Sequence, residues 1–379
     1  MTGIAIAGVG RTEYSRNSGR TTQAMAAEAV RAAVADAGLR PADVDGLACY
    51  GINDTTTTRP VAYAAGVEDL AWALDLVGGG NVVVTAIQAA AAAILTGQCH
   101  TVAVYRSMNG RSGYRYGQGD VAYVDGDYQY GAPHGYLVPP QFMAMWARRH
   151  QHEYGSTCED LGAIAVTQRA HAVRNQHAIA RTPLTLEQYL ESRWINEPLR
   201  LFDCAFEVDG ACAVVLTSTE RARDLAQPPV LLAPGGNDWT AEGALWDEWP
   251  DLTEMFSARV SERLWSRSGF GPEDIDVACI YDCFTYTAMA VLEDFGFMKK
   301  GEVGDFFREG RATYGGDVVV NPHGGLLSEG YLHGMNHHYE AVVQLRRQAG
   351  ERQVDDAEVA LVTAGAGPYG GAVIYTVDR

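Results

Sequence analysis

The sequence predicts an α/β protein built from two similar halves, and three observations predict it. Apolar strand-like runs alternate with helical patterns along a chain of 379 residues, as right-handed βαβ units require. The composition is 47% hydrophobic and 20% charged with 42 glycines, which suits a compact core and not a disordered chain. Finally, a segment repeats. "GLRPADVDGLACY" (38–50) and "GFGPEDIDVACIY" (269–281) align without a gap. Gly38, Pro41, Asp43, Val44, Asp45 and Tyr50 meet Gly269, Pro272, Asp274, Ile275, Asp276 and Tyr281 at a constant offset of 231.

Taken in order, "GIAIAGVGRTEY" (3–14) opens as a buried strand. Thr21 or Thr22 caps the next helix, whose apolar stripe is Ala26, Val30, Ala33, Val34 and Ala37. Gly38 ends it. A turn and a strand follow through Tyr50. Gly78–Gly80 leads into an alanine-rich helix, then Gly97 and the strand "TVAVY". The second half repeats the plan. "SARVSERLWSRS" (257–268) is a helix ahead of the repeated motif, and glycine-rich 324–334 leads into a helix over 336–348. Gly350 and the strand "EVALVTAGAG" close it. The halves divide as 1–225 and 226–379, with a loop insertion at about 108–160 in the first. Gly78–Gly80 with Asn81 lacks the spacing of a phosphate-binding loop and reads as close backbone packing.

A net charge of −18 steers the chain away from nucleic acid and anionic membrane. An anionic ligand would need a local basic patch or a partner to receive it. No apolar run reaches the ~18 residues of a membrane span. Met1–Gly10 runs into Arg11 without a cleavage site, so no signal peptide is expected. The seven cysteines (Cys49, Cys99, Cys158, Cys204, Cys212, Cys279, Cys283) are scattered and lack zinc spacing. Free thiols in a cytoplasmic protein are the expectation, with no metal site.

The richest stretch for chemistry is "NPHGGLLSEGYLHGMNHH" (321–338), with an Asn, a Tyr and four His on a glycine-rich backbone. A duplicated βαβ chain carrying "NPxGG" near its end resembles the thiolase superfamily. More closely it resembles the sterol-carrier-protein-x-like branch, through "GVGRTEY", "LTLEQYLESRWINEPLRLFDC" and "VDGACAVVLTSTERA" (Val208–Ala222). The resemblance spans essentially the whole chain. It implies the thiolase fold, two βαβ halves in a five-layered αβαβα arrangement, a homodimer, and an acyl-CoA ligand.

It does not imply thiolase chemistry. The position of the family's nucleophilic cysteine falls near Gly80, in "GGGNVVVTAIQAA", where no Cys, Ser or Thr stands. Tyr281 (in "YDCF") and Tyr331 (in "GYLHG") occupy the positions of the two catalytic histidines, and Thr363 or Ala364 that of the second cysteine. Covalent thiolysis or Claisen condensation through an enzyme thioester is therefore not expected. Two tyrosines at those positions resemble the steroid side-chain-cleaving aldolases of the superfamily. These lipid-transfer-protein-type lyases cut a β-hydroxyacyl-CoA and work with an OB-fold domain of an acyl-CoA hydratase. The resemblance thus implies retro-aldol cleavage of a steroid 17-hydroxy-20-carboxyl-CoA to a 17-ketosteroid and propionyl-CoA. No separate cofactor is implied, because the CoA thioester belongs to the substrate.

Retro-aldol cleavage needs a base for the β-hydroxyl, an electron sink, and a group that protonates the enolate. Tyr281 and Tyr331 would be base and acid, in either order. Asn321 offers an amide donor to the enolate oxygen. Gly80 lies at the elbow beside the ligand, and the backbone around Gly365 and Gly367 adds donors. A tyrosine of pKa ≈ 10 needs roughly 4 kcal/mol of differential stabilisation to reach 7. His333, with His323 and His337 behind it, is expected to donate to a tyrosine or relay its proton. His337 and His338 also read as polar residues of a helix start. Asp282 either orients a tyrosine or caps a helix, and Asp209 is a turn residue. The segment 113–136, with six tyrosines, either lines a tunnel for a polycyclic acyl group or packs a dimer contact. Two other functions fit a thiolase-like chain without its cysteine: a non-catalytic acyl-CoA-binding scaffold, and an acyltransferase with an unusual nucleophile.

Overall fold

The computed structural model describes residues 3–113, 115, 128–239 and 249–378. Ten strands form one continuous path through the main sheet. They are β1 (Ile4–Arg11), β2 (Gly46–Gly51), β3 (Trp72–Val77), β4 (Thr101–Asn109), β5 (Asp209–Ser218), β6 (Val230–Leu232), β7 (Val277–Cys279), β8 (Val319–Val320), β9 (Val359–Ala366) and β10 (Tyr369–Val377). Their spatial order is β8-β7-β9-β10-β6-β1-β5-β4-β2-β3, with Gly236–Asp238 added beside β10. The path is two copies of one five-strand plan, β3-β2-β4-β5-β1 and β8-β7-β9-β10-β6, joined where Ala5 and Ile6 pair with Leu231 and Val230. In each copy the first three strands are parallel, the fourth runs antiparallel to them, and the fifth, antiparallel to the fourth, runs with the first three.

The repeat seen in the sequence is written into hydrogen bonds. Pro41–Asp43 and Pro272–Asp274 form matching 3-10 turns, each closed by its last Asp accepting the N–H three residues back, from Arg40 or Gly271 (2.8 Å each). Asp45 accepts from the N–H groups of His100 and Thr101 at the start of β4. Its counterpart Asp276 accepts from those of Glu358 and Val359 at the start of β9. A carboxylate at that point satisfies N–H groups that the strand ladder leaves unpaired.

Seven longer helices complete the layers: α1 (Thr22–Asp36), α2 (Val83–Leu95), α3 (Pro139–Tyr154), α4 (Cys158–Val173), α5 (Phe256–Ser268), α6 (Thr285–Asp294) and α7 (Met335–Leu345). Thr21 caps α1 by accepting from the Ala24 N–H, and the alanine–valine stripe of α1 packs on β1, β4 and β5. α5 covers β10 on the far side of the molecule. Between the sheets lie α2 and α7, each touching strands of both copies. "VVTAIQAAAAAIL" is apolar around most of its circumference, the property of a helix buried on all sides, and its alanines let both sheets approach. The order helix, sheet, helix pair, sheet, helix is the five-layered α/β arrangement expected.

The insertion differs from expectation. It runs from the end of β4 at Asn109 to the start of β5 at Asp209, and it is largely helical, not a loop over 108–160. Phe142, Met143, Trp146, Ala147 and His150 recur every three or four residues and are buried. That stripe makes α3 despite the glycine- and tyrosine-rich stretch before it. Most of the six-tyrosine segment lies outside the described residues, and with it the tunnel and dimer readings.

Candidate active site

Both tyrosines come from the second copy, one from the end of a strand and one from the glycine-rich segment ahead of a helix. Tyr281 follows β7, and its N–H donates to Thr363 Oγ1 of β9 (2.9 Å). Tyr331 sits in the glycine-rich segment before α7, and its N–H donates to the Phe206 carbonyl (2.9 Å). The short strip 204–207, at the end of the insertion, stitches the two together. Ala205 N–H donates to the Cys283 carbonyl (2.9 Å), and Phe206 N–H to that of Leu326 (2.8 Å). The result is a phenol pair, with Tyr281 Oη and Tyr331 Oη 3.1 Å apart and ring centroids 6.4 Å apart.

Both phenols line a cavity of about 1560 Å³. Its wall includes Gly79, Gly80, His333 and Gly365, with apolar Leu137, Phe142, Ile195, Phe202 and Phe206 opposite. It also holds Arg111, Arg115, Arg169 and Arg193. In a chain of net charge −18, these four arginines outnumber the lining carboxylates Asp54 and Glu207, the second of which pairs with Arg115.

Gly80 explains why the nucleophile and a histidine were lost together. A Cβ on Gly80 would lie 2.2 Å from Tyr281 Oη and 2.4 Å from its ring carbons. The phenol therefore fills the space a side chain at residue 80 would need. Gly334, at φ +83, lets the opposite backbone close on the same ring, where a Cβ would stand 3.2 Å away.

Burial, and then the neighbouring Tyr331, hold the Tyr281 phenol well above its ordinary pKa of 10. Ionisation of Tyr281 is thus disfavoured. The 3.1 Å contact permits a relay instead, in which one phenol takes up a proton as it passes its own to the other, which gives its own away, so that neither stays charged.

His333 is fully buried, with a backbone φ of +50. Its ring stands edge-on to Tyr331, with centroids 4.8 Å apart. Burial and then the charge of Arg106 push its pKa down to about 3, which favours the neutral ring over the cation a proton relay would form. His323 and His337 contact each other (3.0 Å) behind the site but do not line the cavity. Burial pushes His323 well down as well.

Asn321 is not an oxyanion donor in this geometry. Its Oδ1 accepts from Ile280 N–H (2.8 Å) and its Nδ2 donates to the Ile280 carbonyl (2.9 Å). The side chain is buried away from the cavity and clamps the backbone beside Tyr281. Gly365 reaches the wall; Gly367 does not, and its carbonyl accepts from Phe256 N–H. Asp282 accepts from Leu326 and Leu327 N–H, the capping alternative. Asp209 is the first residue of β5, not the turn residue expected, and its carboxylate gathers the N–H groups of Ser18, Arg111 and Ser112. His337 and His338 lie in the first turn of α7 but are buried, and His338 bonds Tyr375 Oη (2.8 Å).

Three features were missed in the sequence. The strip 204–207 has no motif. Glu329 fixes the Tyr331 segment by accepting from Arg11, Asn175 and Asn336. Arg106, wholly buried, bonds both Asp54 and His333. A charged residue inside the apolar run "TVAVYRSM" was the available signal for the last, since a buried charge is kept only when paired.

Comparison with known proteins agrees with this geometry. Residues 241–377 match the family described as thiolase C-terminal domain-like. A steroid side-chain-cleaving aldolase of Thermomonospora curvata is 42% identical, over 99% of this chain and 98% of its own. A 17-hydroxy-3-oxo-4-pregnene-20-carboxyl-CoA lyase of Mycobacterium tuberculosis is 43% identical, over 98% of each chain. The solved structure of an Ltp2-ChsH2(DUF35) aldolase superposes with a TM-score of 0.92 at 40% identity, over 100% of this chain and 98% of that one. With identity of this level across full lengths, and a phenol pair where a thiolase keeps its histidines, the chain belongs to the steroid side-chain-cleaving aldolases of the thiolase superfamily.

Proposed function

We propose that this protein is a carbon–carbon lyase that cleaves a steroid 17-hydroxy-20-carboxyl-CoA to a 17-ketosteroid and propionyl-CoA. The observation that carries the reading is the 3.1 Å phenol pair on the cavity wall beside Gly80. One phenol oxygen accepts the proton of the β-hydroxyl. The C–O π bond forms, the bond between the α and β carbons breaks, and its electron pair moves into the thioester carbonyl as an enolate. The second phenol protonates the α carbon. The proton taken up by the first phenol passes to the second across the short contact, so the pair ends as it began. This route suits Tyr281, whose ionisation burial opposes. No side chain forms a bond to the acyl group, in keeping with the glycine at residue 80.

The cavity volume and its apolar wall favour a bulky acyl group, and the four arginines favour an anionic CoA ester. We take the reactive acyl group from the relatives' names. On the family resemblance read in the sequence, the protein forms a homodimer and works with an OB-fold domain of an acyl-CoA hydratase in the cytoplasm; that a 40%-identical aldolase is solved as Ltp2-ChsH2(DUF35) supports a partner. No helix among the described residues is long and apolar enough to cross a membrane, and no cluster of metal-ligand type occurs among them.

The test is to supply the 17-hydroxy-20-carboxyl-CoA steroid with the partner present and to assay 17-ketone and propionyl-CoA together. Equimolar release of both is expected. Tight binding of the ester without cleavage would favour a scaffold and reject the lyase.

A further inference from the structure

Arg106 lies in the middle of β4 with none of its side chain exposed. Its Nη2 donates to Asp54 Oδ2 (2.5 Å) and to His333 Nδ1 (2.9 Å), and its Nε also approaches His333 Nδ1 (3.3 Å). Its Nη1 donates to the Ser107 carbonyl (3.1 Å). A guanidinium has only donors and keeps its charge. An imidazole nitrogen facing it must therefore be an acceptor. A hydrogen on Nδ1 would set two donors against each other, and a cationic ring would set two buried positive charges against each other. The neutral tautomer protonated at Nε2 satisfies the contact.

The backbone holds the ring to this task. Tyr50 Oη donates to the His333 carbonyl (2.9 Å) from β2, and the residue sits at φ +50. The ring lies between Tyr331 and Gly79 on the cavity wall. The charged and titratable groups facing it among the described residues are Arg106 from β4, Asp54 from the loop after β2, and Tyr331 from its own segment. Asn321, expected from sequence to be the side-chain donor for the enolate oxygen, is fully engaged elsewhere. That leaves His333 as a neutral polar side chain beside the phenol pair.

We infer that Arg106, braced by Asp54, is a positioning residue that fixes His333 in its Nε2-protonated form, making His333 the hydrogen-bond donor to the thioester oxygen that becomes the enolate. This rests on the retro-aldol reading for the identity of the oxygen, but not for the tautomer. The role is electrostatic. Negative charge gathers on that oxygen as the carbon–carbon bond breaks, and a neutral donor stabilises it without surrendering a proton.

The tautomer is measured first, without substrate, by NMR of protein labelled with 15N-histidine. The His333 signals are assigned by their loss in His333→Gln. In the unmodified protein Nδ1 should resonate as an unprotonated nitrogen and Nε2 as a protonated one, with no titration from pH 6 to 8. In Arg106→Gln the two nitrogens should become mixed, and kcat should fall toward the ~10²–10³-fold loss that follows removal of an oxyanion donor, with a much smaller change in KM. Arg106→Lys, which keeps a cationic donor, should recover part of kcat. Should the buried substitution prevent folding, Asp54→Asn weakens the brace and should shift the same nitrogens in the same direction. A protonated Nδ1 in the unmodified protein overturns the inference, as does a tautomer that Arg106→Gln leaves unchanged. Both results would leave the lyase reading standing; absence of cleavage with the expected tautomer would reject the lyase and with it the enolate-donor role, and leave only the Arg106-fixed tautomer.

Discussion

Gly80→Ala tests the site with a single methyl group. The added Cβ would stand 2.2 Å from Tyr281 Oη and 2.4 Å from ring carbons, more than an ångström inside the 3.4 Å of ordinary contact. The Tyr281 ring has little room to give. Its backbone is tied to Thr363, the Asn321 clamp holds Ile280 beside it, and Gly334 closes on its other face. Overpacking of this kind costs about 1–3 kcal/mol. The displaced phenol also leaves its 3.1 Å contact with Tyr331, and a misplacement of about 1 Å lowers turnover roughly 10²-fold. The assays are kcat with the steroid CoA ester and a urea denaturation midpoint. The double variant Gly80→Ala/Tyr281→Ala gives the methyl its space back. The stability penalties should then fail to add, with a coupling of about 0.5–3 kcal/mol. Wild-type turnover in Gly80→Ala, or strictly additive penalties, would show that the ring does not occupy the space beside residue 80.

Other expectations follow from the same contacts. Gly80→Cys should yield no acylated protein by mass spectrometry, because the sulfur would enter the volume held by Tyr281. Tyr281→Phe and Tyr331→Phe should each lower kcat by about 10²–10⁴-fold, the usual contribution of acid–base catalysis, while thermal melting shows the fold intact. Asn321→Ala orphans a buried N–H and a buried carbonyl of Ile280 and should cost about 2 kcal/mol or more in denaturant unfolding. Stability should rise with pH between about 4 and 6. Burial holds His333 and His338 at about 3, His171 at about 4 and His323 well below its ordinary value, so each is neutral when folded and takes up a proton on unfolding. Burial raises Asp203 and Asp294 to about 6, so each releases a proton on unfolding in that window. Four uptakes outnumber two releases, and urea midpoints across the window should increase.

The duplicated architecture was legible because its markers are local. The Pro-x-Asp turn completes its hydrogen bond within its own segment, and the following Asp meets the start of the equivalent strand in each copy, so the 231-residue offset survives in plain letters. The tyrosine pair was legible through family positions, since both residues stand at strand-end or loop sites with recognisable neighbours. Asn321 misled because an amide that clamps a backbone and an amide that faces a ligand are the same letter in the same glycine-rich turn. Arg106 stayed hidden because its partners, Asp54 and His333, lie far away in the sequence and meet it only when both copies of the fold close. The helical insertion was obscured by composition: the glycines and tyrosines before α3 drew attention from the stripe Phe142, Trp146, His150.

The most direct measurement is a single turnover of the 17-hydroxy-20-carboxyl-CoA steroid in deuterated water, with the intact protein weighed during the reaction. Phenol-driven scission predicts propionyl-CoA carrying deuterium at its α carbon, a 17-ketone in equal amount, and protein that carries no acyl adduct once its exchangeable deuterium is washed out. It also predicts that both products disappear together in Tyr281→Phe and Tyr331→Phe. An acylated protein, or undiminished cleavage in either phenylalanine variant, would contradict it.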